Sequence, residues 1–158
     1  MGLSFKEIVD RLRSQFPAVT FETVEPNGDP YVVVDKGALL DVARFLKDTT
    51  DLDFDYLASL GGTDDLVNLW SVMHLYSIRR IHRFVIKVKL DRTDPSVASL
   101  CDLWPTANWH EREAYDLYGI RYEGHPDLRR ILLPEDWPGY PMRKDYDFPE
   151  HYQGIPLK

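Results

Sequence analysis

From Phe5 to Phe16 the apolar residues Phe5, Ile8, Val9, Leu12 and Phe16 recur at helical spacing, and Ser4 with Glu7 forms a capping box ahead of them. Pro17 ends that helix. The stretches Val19–Val24 and Tyr31–Val34, rich in Val, Thr and Tyr, are predicted strands, and the turn formers Pro26-Asn27-Gly28-Asp29 between them make a hairpin. Asp35 is placed to cap a second helix, in which Leu39, Val42, Ala43 and Leu46 share a face; the run from Asp48 to Asp53 closes it.

At Phe54 the period changes to two. Leu66 to Leu90 is predicted to form a long antiparallel pair turning near Arg79 and Arg80, with Phe84, Ile86, Val88 and Leu90 facing a core while Val85, Lys87 and Lys89 face water. Asp94 before Pro95 suggests the cap of a short helix carrying Val97, Leu100 and Cys101. Asn108 and Glu111 have the spacing of a second capping box, and Gly119 supplies a left-handed stop. On that third helix His110, Ala114, Leu117 and Tyr118 are expected to pack, whereas Trp109, Arg112, Glu113 and Asp116 face outward, with Arg112 and Asp116 spaced as an ion pair. The fold class expected is α/β in the α+β sense: a mixed, largely antiparallel sheet flanked by short helices.

The last third differs in kind. Residues 104–158 hold 7 of the 11 prolines and 10 of the 20 aromatic residues, yet no sustained period follows Ile120. Disordered segments are poor in aromatics, and Trp and Tyr gather where proteins meet. The chain therefore divides into a compact domain over 1–120 and an extended arm over 121–158, the arm laid on a surface of partner subunits.

Composition narrows the chemistry. A formal net charge of -7 argues against binding nucleic acid, whose phosphates need a surplus of Lys and Arg. Arg79, Arg80, His82 and Arg83 make the one basic cluster, read as a turn or partner-facing patch. The single cysteine, Cys101, excludes an internal disulfide and any site drawing several thiolates from this chain; it is read as a small buried hydrophobe in a reducing compartment. Charged residues at Lys6, Glu7, Asp10 and Arg11 argue against a signal peptide. The longest charge-free apolar-leaning run, Leu66 to Ile78, is 13 residues, below the ~18 a spanning helix needs. Glu111 or Glu113 as base with His110 as shuttle is the one catalytic reading open, and zinc-protease spacing fails because Ala114 stands where a second His belongs. Neither a Gly-x-Gly-x-x-Gly loop nor a Walker loop is present.

The stretch from Trp104 to Tyr146 resembles the signature of the complex I 30 kDa subunit family, whose bacterial members are the C-type subunits of NADH:quinone oxidoreductase. Glu111, Arg112, Glu113, Asp116, Leu117, Tyr118 and Gly119 match the family's helix; Glu123-Gly124-His125-Pro126, Arg129-Arg130-Ile131-Leu132, Pro134-Glu135-Asp136-Trp137 and Pro141-Met142-Arg143-Lys144-Asp145-Tyr146 continue it. The resemblance implies a non-catalytic scaffold in the peripheral arm of the complex. It would lie against the large 49 kDa-type (D-type) subunit and the iron–sulfur (B-type) subunit, on the cytoplasmic face of the bacterial inner membrane, with no span of its own. It also implies that this chain binds no cofactor or metal, and that FMN, iron–sulfur clusters and quinone sit in partners. The residues expected at the subunit interface are Glu111, Arg112, Glu113, Asp116, Tyr118, Gly119, His125, Arg129, Arg130, Asp136, Trp137, Tyr140, Arg143 and Lys144. Two readings stay open beside it: a same-family component of a membrane-bound hydrogenase or formate hydrogenlyase-type complex, and a stand-alone acid–base enzyme.

Overall fold

A computed structural model describes residues 2–157. Helix α1 spans Phe5–Gln15, with the Ser4 and Glu7 capping box formed in both directions. Strands β1 (Glu22–Val24) and β2 (Tyr31–Val33) pair antiparallel, as their turn sequence predicts. Helix α2 (Leu39–Asp48) buries Leu39, Val42, Ala43 and Leu46. Its cap departs from expectation: the Asp35 carboxylate accepts from the Gly37 amide, an Asx turn one step ahead of a helix that begins after Ala38 with no side-chain cap.

Strands β3 (Tyr56–Asp64), β4 (Asn68–Ser77) and β5 (His82–Asp91) form an antiparallel meander. β2 joins it parallel to β5, which gives a five-stranded sheet in the order β1-β2-β5-β4-β3. Phe84, Ile86, Val88 and Leu90 point into the core with Leu69, Met73 and Leu75, where α1 and α2 cover them. Each such buried side chain contributes roughly 1.5–3 kcal/mol relative to exposure.

Beyond β5 the expected helix at Asp94-Pro95 is a strand. β6 (Ser96–Ala98) pairs parallel with β7 (Arg121–Glu123), and Val97 stands opposite Tyr122. The pairing partner lies beyond the whole of the third helix, so no local pattern announces it. That helix, α3 (Ala107–Tyr118), packs against β3, where the ring of Tyr118 covers Gly62 so closely that a Cβ there would lie 2.5 Å from it. Gly119 ends α3 at φ 75, the left-handed stop expected of it. The start is a correction: Thr106 precedes the first turn, Asn108 lies inside the helix, and Glu111 does not turn back to cap it. Past β7 the chain is irregular apart from a small hairpin of β8 (His151–Tyr152) and β9 (Ile155–Pro156). No helix among the described residues is long and apolar enough to cross a membrane.

Candidate functional site

α3 carries two carboxylates with no solvent exposure, Glu111 and Asp116. A buried carboxylate needs hydrogen-bond donors around it, and each of these two has recruited a different segment.

Glu111 accepts from Ser99 Oγ at 2.6 Å, from the Leu100 amide at 2.7 Å and from Cys101 Sγ at 3.4 Å. It thereby ties α3 to the loop after β6. Burial pushes its pKa up, more than the hydrogen bonds from Ser99, Leu100 and Cys101 lower it. Burial likewise pushes the half-buried Cys101 thiol up to about 11, with Glu111 adding to the shift. Cys101 is thus a hydrogen-bond donor to a carboxylate as well as a small apolar filler. Cys101, Glu111 and His125 bring ligand-type atoms within 4.8 Å of one another. As a metal site the set fits poorly, because the thiol stays protonated and both ring nitrogens of His125 are in use: Nε2 lies 3.0 Å from the Asn108 carbonyl, and Nδ1 accepts from the Asp127 amide at 2.9 Å.

Asp116 holds the arm. Its Oδ2 accepts from three successive backbone amides, Ile131 at 3.0 Å, Leu132 at 2.7 Å and Leu133 at 2.9 Å, while Oδ1 accepts from Arg130 Nη1 at 2.8 Å. Burial alone would raise its pKa, but these donors outweigh it and hold the carboxyl below the usual range. Arg130 spends its remaining N–H groups on the carbonyls of Asp116, Trp137 and Gly139. Arg112, expected to pair with Asp116 along the helix, instead donates to the carbonyls of Arg129 and Arg130.

The arm continues over the end of α3. The Met142 amide and Arg143 Nε donate to the carbonyls of Leu117 and Tyr118. The ring of Tyr140 lies with the Arg130 guanidinium 5.4 Å and the Arg143 guanidinium 5.0 Å from its centroid. Asp64, buried at the tip of β3, accepts from the Lys144 amide at 2.8 Å and pairs with Arg92, which also reaches Asp145. Further along, Trp137 donates to Tyr146 Oη and packs on Tyr152, whose hydroxyl donates to Asp136 at 2.6 Å.

The residues singled out from the sequence therefore fall into separate groups. Arg112, Asp116, Tyr118, Gly119, Arg130, Tyr140 and Arg143 form one contiguous cluster where arm meets helix. Glu111 and His125 form a second, while Asp136 and Trp137 belong to an aromatic group within the arm. Lys144 takes part through its backbone, Glu113 is exposed, and Arg129 is exposed with an ion pair to Asp127. Asp64, Arg92, Ser99 and Cys101 complete these networks without a sequence signal, since each meets its partner only through the fold. A catalytic set of Glu111, Glu113 and His110 does not assemble, because Glu111 is enclosed while Glu113 faces solvent.

Buried charge spent on positioning an arm, with Trp109, Leu132, Met142 and Ile155 left exposed around it, is the construction of a component made for assembly. The family model of the respiratory-chain NADH dehydrogenase 30 kDa subunit matches residues 32–152, and the chain belongs to that family. It is 45% identical over 148 residues to the C-type subunit of NADH-quinone oxidoreductase from Roseiflexus sp., covering 92% of this chain and 85% of that one. Identity to the corresponding Chlorobium phaeobacteroides protein is 47% over 128 residues, covering 79% and 77%. Among solved structures, the trypsin-resistant fragment of Nqo5 superposes with a TM-score of 0.64 at 30% identity, covering 77% of this chain and 99% of the fragment. A chain of an archaeal membrane-bound sulfane sulfur reductase shares the fold at a TM-score of 0.73 and 22% identity, covering 90% and 85%.

Proposed function

We propose that the chain is a non-catalytic scaffold in the peripheral arm of a proton-translocating NADH:quinone oxidoreductase. There it keeps the quinone-reducing subunits in register while electrons pass from NADH through iron–sulfur centres to quinone. FMN, the clusters and quinone belong to its partners, and the chain alone has no turnover. Those partners are the large 49 kDa-type subunit, the iron–sulfur subunit and neighbouring peripheral-arm proteins, at the cytoplasmic face of the bacterial inner membrane.

The observation that carries this reading is that the arm has two differently built sides. Its inner side is fixed to α3 by Asp116, Arg112 and Arg143, and its outer side leaves Leu132 at 61% and Met142 at 52% exposure. Apolar side chains on a pre-positioned backbone suit a partner's surface, because little ordering remains to be done on binding. The NADH-quinone oxidoreductase names of the relatives favour this complex over a hydrogenase-type machine.

The test is reconstitution with the 49 kDa-type and iron–sulfur partners. Leu132→Glu with Met142→Glu leaves the clamp intact and is expected to abolish co-purification while the free chain keeps its circular dichroism spectrum. Normal assembly of that variant would remove the arm from the interface.

A further inference from the structure

The helices α1, α2 and α3 all lie on one face of the five-stranded sheet, and the opposite face carries no element among the described residues. In an antiparallel sheet with one wet face, the outward positions are ordinarily polar. Here the outward positions of β4 are Trp70, Val72, His74 and Tyr76, and β2 adds Tyr31 and Val33. The register sets Tyr31 and His74 on either side of Val85, which is 5% exposed although it is not part of the main core. Two depressions flank this row. One of about 250 Å³ is lined by Tyr31, Trp70 and Lys87, and one of about 230 Å³ by Tyr56, His74 and Tyr76.

The charges on this face are asymmetric. Asp29 is paired with Arg83 at 2.8 Å, and Asp65 accepts from Trp70 Nε1 at 2.7 Å, so both acids are engaged within the chain. Lys87 lies 3.8 Å over the Tyr31 ring, and Lys89 is exposed opposite Trp70. Neither lysine reaches a carboxylate among the described residues. An acidic protein thus presents two uncompensated cations within a field of aromatic side chains.

We infer that this outer sheet face is a second docking surface, occupied in the assembled complex by an acidic segment of another protein subunit. Its carboxylates pair with Lys87 and Lys89, and its apolar side chains enter the two depressions. Aromatic rings around a desolvated charge pair are the composition of an interface centre. A second copy related by a two-fold axis would set lysine against lysine. A polyanion such as RNA would meet Asp29 and Asp65 at the two ends of the face. The inference rests on the assembly proposed above and uses a face separate from the arm.

Carbodiimide treatment of the purified NADH:quinone oxidoreductase complex joins a lysine to a carboxylate in contact with it. The expected product links Lys87 or Lys89 to an Asp or Glu of another polypeptide, and acetylation of both lysines is several-fold slower in the complex than in the isolated chain. Lys87→Glu with Lys89→Glu removes the link without changing the circular dichroism of the free chain. Equal acetylation in the two states overturns the inference. So does a link between two copies, or lysine-dependent binding of the isolated chain to phosphatidylserine vesicles or to a single-stranded oligonucleotide. If the lysines stay open while the chain remains in the complex, the docking face fails and the assembly reading stands; if the chain is absent from the complex, both fail.

Discussion

Asp116 Oδ1 and Arg130 Nη1 lie 2.8 Å apart, with the carboxylate fully enclosed and the guanidinium side chain 13% exposed. A buried pair of this kind is a weak source of net stability, because removing both charges from water offsets most of their attraction. Its value is positional. Arg130 spans α3 and two later points of the arm, at Trp137 and Gly139, so one side chain sets the course of three segments.

Asp116→Asn leaves an oxygen for the amides of Ile131, Leu132 and Leu133 but removes the charge opposite Arg130. The expected loss is roughly 1.5–3 kcal/mol, the range for a hydrogen bond to a charged group. Urea unfolding measures the total, and amide exchange should show residues 129–143 opening while the β4 and β5 amides keep their protection. Uniform loss of protection would mean that the arm and the sheet unfold together.

Acid should release the arm early. Burial pushes Asp116 and Asp64 up, but the donors around them outweigh it, so both stand below their ordinary pKa when folded. A depressed folded pKa makes the stabilisation complete above the ordinary value of about 4 and lost as the pH falls through the folded one. An acid titration followed by amide exchange should therefore free the arm at a higher pH than α1, whose packing is apolar. In Asp116→Asn that arm-specific step should shrink.

The elements most legible in the sequence are those whose partners are close along the chain. The Ser4 and Glu7 box, the Pro26–Asp29 turn, the alternation through Phe84–Leu90 and the Gly119 stop all depend on neighbours within a few residues, and all appear as expected. Where the partner is remote, local rules mislead. Asp94-Pro95 has the form of a helix start, yet Val97 finds its ladder at Tyr122. Glu111 has the spacing of a cap, but Ser99 and Leu100 draw it inward. Asp116 and Arg112 are spaced to pair with each other, yet both turn to the arm, because burying the arm's backbone requires donors and acceptors there. The aromatic outward side of β4 was readable residue by residue; that no helix covers it was not.

Glu111 should show the opposite pH dependence to Asp116. Burial raises its folded pKa, so the folded protein holds this proton more tightly than the unfolded chain. Its contribution is full below the ordinary glutamate value of about 4.3 and declines as the pH rises through the folded one. Glu111→Gln keeps an acceptor for the Leu100 amide and carries no charge to bury. The variant should therefore gain on the wild type as urea unfolding is moved from pH 5 to pH 8. Glu111→Ala should cost about 1–3 kcal/mol at either pH, from the donors left unpaired.

Gly119→Ala tests whether the helix stop and the arm act as one unit. Gly119 has φ 75, and a Cβ there would lie 2.6–2.8 Å from ring atoms of Tyr140. The left-handed backbone alone costs an alanine about 1–2 kcal/mol. The ring must also move, and it cannot do so without leaving the guanidinium groups of Arg130 and Arg143, 5.4 and 5.0 Å from its centroid. Tyr140→Ala removes the obstacle and those contacts together. If both effects operate, the double variant should cost less than the sum of the two single ones, with a coupling of roughly 0.5–3 kcal/mol, the range for residues in contact. Additive costs in urea unfolding would assign the glycine to backbone conformation alone and leave Tyr140 free of any part in stopping the helix.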